Sequence, residues 1–130
     1  MQIKRPFTPV FVLTALLTAA SPLVGSAADY GKPADVSAVR ATEEAALRTE
    51  VPPVQRDVIA ITVSNVIVAG KYALCSYSVG ESAGYSVFAR SGPRGWKRIS
   101  HGGEAPTKQS LRKLGVSKSS IDSIAARGGI

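Results

Sequence analysis

Four apolar runs, residues 56–68, 71–79, 85–91 and 96–101, are separated by connections of only a few residues, each bearing glycine. The connections are Ala69-Gly70, Gly80 to Gly84, and Gly92-Pro93-Arg94-Gly95. A parallel pair needs a crossover of a dozen residues or more, so runs this closely spaced pair as an antiparallel meander. The first run is dense in Val, Ile and Thr, which fit a pleated, half-buried surface. Its alternation changes phase: Ile59, Ile61 and Val63 share one parity, Val66 and Val68 the other. A bulge or bend near Ser64-Asn65 reconciles the two halves.

Helical patterns flank the meander. After a loose leader, residues 29–34, Asp35 offers an N-cap for a helix to about residue 49. Val36, Val39, Ala46 and Leu47 form its apolar stripe, and Pro52-Pro53 stops it. Arg40, Glu44 and Arg48 are spaced as i,i+4 pairs on the wet face, where the Glu43-Glu44 pair is also expected. Downstream, residues 107–114 carry Leu111 and Leu114, and Gly115-Val116 fits a Schellman stop. Ser119-Ser120-Ile121-Asp122 reads as a capping box before Ile124, Ala125 and Ala126, and Gly128-Gly129 ends that element. The expected fold is α+β: an N-terminal helix, a four-stranded antiparallel meander sheet and two short C-terminal helices, with the helices against one sheet face.

The first 28 residues read as a signal peptide. Lys4 and Arg5 precede an apolar run of 11 residues, 10–20, broken by Pro22 and Gly25. Gly25-Ser26-Ala27-Ala28 offers the small residues that a signal peptidase reads. The run is short for a spanning helix, which needs about 20 apolar residues. Export to the periplasm or beyond is therefore expected, leaving a single domain over residues 35–130. Cys75 is the one cysteine in the chain, so this domain has no intramolecular disulfide and depends on its apolar core.

Catalytic signals are sparse. Gly80-Glu81-Ser82-Ala83-Gly84 spells G-x-S-x-G, the nucleophile elbow of serine hydrolases. That elbow needs a strand, a sharp turn and a helix, whereas strand patterns lie on both sides of Ser82. The acid-then-histidine order also fails, because His101 precedes Asp122. The glycines are read as serving a hairpin turn. Cys75, His101 and Glu104 make a thiol triad only on paper, since Cys75 lies mid-strand among Ala73, Tyr77 and Val79. With one His and one Cys, and its Met at position 1, the chain has too few soft ligands for a zinc or copper centre of its own, and no cofactor is expected.

The formal charge is +7 and is uneven: residues 29–69 carry four basic and six acidic side chains, residues 70–130 ten and three. Arg90, Arg94, Lys97, Arg98, Lys108 and Arg112 form the candidate anion or partner surface. Tyr85 and Trp96 could add aromatic contacts. No nucleic-acid-binding signature accompanies them and export argues against that partner, so an envelope protein or an anionic surface is the expected one.

Residues 66–116 carry a further pattern: Gly70, Gly80 and Gly84, Arg90 closing a strand, Trp96 in the last strand, Gly102-Gly103 and Leu114-Gly115-Val116. This pattern resembles small exported bacterial proteins of the copper uptake system-associated type. The resemblance implies a role in copper homeostasis as one alternative. Ser100 and His101 stand where such proteins often carry a cysteine. The sequence is expected to encode an exported, non-enzymatic envelope accessory or binding protein. The alternatives are a copper-homeostasis accessory and a small hydrolase using Ser82 or His101.

Overall fold

The computed structural model describes residues 29–130, and the signal-peptide reading of residues 1–28 lies outside the described residues. Helix α1 (Pro33–Glu50) is followed by a 3-10 turn (Pro53–Gln55). Strands β1 (Ile61–Ala69), β2 (Tyr72–Val79), β3 (Ser82–Ser91) and β4 (Gly95–Gly102) come next, then helices α2 (Lys108–Lys113) and α3 (Lys118–Ala126). The strands form one antiparallel sheet in the order β1-β2-β3-β4. The expected α+β fold is the one observed.

The phase change in β1 is a bulge. Ser64 pairs with Ser76 and Ile67 with Leu74, so Asn65 and Val66 face a single residue, Cys75. Asn65 takes a left-handed φ of 52°, which Asn tolerates better than most side chains. As a result Val63, Val66 and Val68 join one core, while Ile67 and Ala69 join another. A second bulge in β4 makes Ile99 the extra residue between Arg98, opposite Phe88, and Ser100, opposite Val87.

Helices cover both sheet faces, not one as expected. Val36, Val39 and Leu47 of α1 pack on Val63, Val66, Val68, Ala73, Cys75, Phe88 and Trp96. On the opposite face Leu111, Val116, Ile121 and Ile124 pack on Ile67, Ala69, Leu74 and Val87. The cause is the strict alternation of β2 and β3, where Ala73, Cys75 and Phe88 serve one face and Leu74 and Val87 the other. A sheet apolar on both faces must be covered twice.

Local signals account for the remaining boundaries. Pro33 occupies the first turn of α1, so the helix begins before Asp35, and Asp35 complements the helix dipole from inside that turn. Thr107 and Ser110 form the capping box of α2. Gly115 then adopts a φ of 93°, and the Val116 amide donates to the Leu111 carbonyl, closing the expected Schellman stop. The cap of α3 is Ser117, whose hydroxyl accepts from the Ser120 amide, and not Ser119. Residues 56–60, expected in the first strand, lie between the 3-10 turn and β1, with Arg56 held by the carbonyls of Arg48, Thr49 and Val51.

Candidate functional site

The G-x-S-x-G motif is part of a hairpin. Gly80 takes a φ of 61° in the two-residue connection, and Ser82, paired with Val79, is the exposed first residue of β3. Gly84 does not serve the turn, as the sequence suggested. It is buried within β3 opposite Tyr77, where an added Cβ would lie 2.5 Å from both the Gly102 carbonyl oxygen and the Tyr77 hydroxyl. Because one of those neighbours is backbone, Gly84→Ala should destabilise the fold by about 1–3 kcal/mol, the usual cost of overpacking. A urea midpoint unchanged by the substitution would contradict this.

His101 is exposed and pairs with Ser86, four residues along β3 from Ser82. At about 3.3 Å per residue this separates the two candidates by roughly 13 Å. Cys75 pairs with Ser86 from the other side. Cys75 and His101 are therefore two strand spacings apart, on the order of 10 Å. Glu104 is exposed beyond the end of β4. The thiol triad is not assembled.

The sheet instead brings together residues that sequence reasoning placed elsewhere. Glu43, expected on the wet face of α1, is fully buried at 0% exposure. Its Oε1 accepts from Arg98 Nε at 2.9 Å and from Arg98 Nη2 at 2.7 Å. Its Oε2 accepts from the Ser86 hydroxyl and faces the Cys75 thiol at 4.0 Å. Arg98 also donates through Nη1 to Glu50 at 2.6 Å. A carboxylate leaves water at high cost unless its lone pairs are met, and here both oxygens are met by a cation, a hydroxyl and a weak thiol donor. Burial works against the Arg98 charge, but the bonds to Glu50 and Glu43 outweigh it and hold its pKa above the ordinary arginine value. Tyr77 is raised too, by burial and then by the Glu43 charge.

Cys75, buried at 0% exposure, has its pKa pushed up to about 12, first by burial and then by Glu43. A thiol so protonated is a poor nucleophile. Because the folded pKa lies above the ordinary 9.0, this group's contribution is complete below about pH 9 and is lost as the pH climbs towards 12. Native protein should resist iodoacetamide at pH 8, and a Cys75→Ala variant should lose stability less steeply over that alkaline window. Rapid native alkylation followed by mass spectrometry would contradict the assignment.

Other arginines tie α1 to the sheet and to the segments that flank it. Arg90 pairs with Asp35 at 3.1 Å and lies 4.4 Å from the centre of the Trp96 ring. Arg40 pairs with Asp29 at 2.9 Å and donates to the Val63 carbonyl. Arg48 donates to the Arg56 carbonyl. The expected Arg40–Glu44–Arg48 ladder is thus replaced by longer-range bonds. Within the candidate basic surface, Arg90 and Arg98 face acidic groups of α1. Arg94, Lys97, Lys108 and Arg112 are exposed and form no ion pair among the described residues.

No cluster of three or more metal-ligating side chains occurs among the described residues. None of the described helices is long and apolar enough to cross a membrane. No family model, curated protein or solved structure matches this chain.

Proposed function

We propose that the chain is an exported, non-enzymatic accessory or binding domain of the bacterial envelope, acting through its surface. The observation that supports this reading is the use of its polar interior. Glu43, Arg98, Ser86 and Cys75 are bonded to one another in the interior, with Glu43, Ser86 and Cys75 fully buried. Catalysis needs a nucleophile and a base within hydrogen-bond reach, and Ser82, Cys75 and His101 lie at separate stations of the sheet. The exposed Arg94, Lys97, Lys108 and Arg112 remain for an acidic partner or an anionic surface.

The test is a panel of esters and amides assayed with the purified protein and with its Ser82→Ala and His101→Ala variants. No turnover is expected from any of the three. Activity lost in either variant would restore the hydrolase alternative. Titration with Cu(I) and Cu(II) against competing chelators should give no tight, stoichiometric binding. The opposite result would favour the copper-homeostasis role implied by the resemblance.

A further inference from the structure

The geometry points to the outer edge of β4 as the partner site, where an extended acidic segment of another protein adds as a fifth strand. This inference rests on the binding role proposed above. The two edges of the sheet are treated differently. Along β1 the Val63 carbonyl accepts from Arg40 at 3.2 Å, and the Val66 amide donates to Asp29 at 2.9 Å. Tyr30 donates to the Val66 carbonyl at 2.8 Å and accepts from the Val68 amide at 2.7 Å. The stretch expected to be a loose leader thereby closes the β1 edge.

Among the described residues the β4 edge has no such cover. The Arg90 amide donates to the Lys71 carbonyl beside the start of β2 at 2.7 Å, away from β4, so Arg90 and its opposite residue Trp96 form a pair without mutual bonds. By alternation Trp96 and Arg98 direct their backbone groups outward, and beyond the Ile99 bulge so does His101. No backbone or side-chain bond among the described residues closes these three stations. An open row of this kind is a template for strand addition.

Charge selects the occupant. Arg94 and Lys97 stand exposed along or beside this edge. A second copy pairing antiparallel across β4 would bring the exposed Lys97 towards its own mate, and like charges set opposite one another are destabilising. An acidic strand meets the opposite sign. At the far end of β4 a cavity of about 620 Å³ is lined by Tyr85, Val87 and Leu114, with Lys113 and His101 also on its wall. It can take one apolar side chain of the incoming strand.

The probe is an acetylated ten-residue peptide of alternating Glu and Val, titrated into the labelled full chain while backbone amides are followed by NMR. Its counterpart of alternating Lys and Val, and anionic vesicles, are the comparison arms. The Glu peptide should move the amides of Trp96, Arg98 and His101, and the Lys peptide should bind at least about tenfold more weakly. His101→Pro removes an outward amide without taking one from the β3 ladder and should weaken binding roughly fivefold to tenfold. His101→Ala keeps that amide and should bind more tightly than His101→Pro, while Lys97→Glu should weaken binding with the fold unchanged. Shifts centred elsewhere, equal affinity for both peptides, or adsorption to vesicles without peptide binding would overturn the edge site. None of those outcomes touches the non-enzymatic reading, which falls separately through turnover in the ester and amide panel.

Discussion

Glu43→Ala should destabilise the protein by about 3–5 kcal/mol, the usual cost of removing one partner from a buried ion pair. The loss has two parts. Arg98, with its side chain 13% exposed, keeps its charge but loses two bonds to Oε1, and Ser86 loses its acceptor inside the core. The methyl group of Ala also leaves a void where the carboxylate stood, between α1 and the Cys75–Ser86 pair of the sheet. A domain of about 100 residues has roughly 5–15 kcal/mol in total, so the variant should lose a large share of its stability. Glu43→Gln keeps the shape and removes the charge, and should fall between the parent and Ala. Urea denaturation followed by far-UV circular dichroism reads all three.

Trp96→Ala should cost a similar amount, about 3–5 kcal/mol, for a different reason. The ring is 7% exposed and packs in the α1 core with Val36, Val39 and Phe88. Arg90 lies over its face while also holding Asp35, so removing the ring frees a cation that ties the start of α1 to β3. The indole Nε1 is buried without a hydrogen-bond partner among the described residues. Trp96→Phe should therefore recover most of the loss, because it keeps much of the ring area and removes an unsatisfied donor. Trp96 is the one tryptophan in the chain, so the emission of the folded protein reports this site alone. A blue-shifted maximum is expected; emission typical of exposed tryptophan would contradict the packing.

Hydrophobic periodicity made the sheet legible before the structure. The phase slip at Ser64-Asn65 located the bulge, and glycines at 70, 80 and 92 located the turns, each with a positive φ. Gly115-Val116 likewise located the end of α2. The polar centre was harder to see, because carboxylates beside arginines in a helix are usually solvated. Yet Glu43 lies four residues from Val39 and four from Leu47, within the stripe begun by Val36, while Glu44 falls outside it. Its partners follow the same logic: Arg98 shares the parity of Trp96, and Ser86 that of Phe88. Reading the stripe by position, whatever the residue type, would have found the site. The two-sided packing was missed because the C-terminal helices are short, and only the opposite phase of Leu74 and Val87 reveals a second core.

Whether the buried centre is architecture can be measured directly by a double-mutant cycle in which Glu43 and Arg98 are each replaced by Met, singly and together. A structural ion pair predicts that each single replacement strands a partner and costs about 3–5 kcal/mol, whereas the double replacement recovers several of them as apolar packing fills the space. The expected coupling energy is therefore at least about 3 kcal/mol, read from urea midpoints with an unchanged slope. Losses that simply add, with no recovery in the double variant, would mean that Glu43 and Arg98 do not hold α1 to the sheet as a pair.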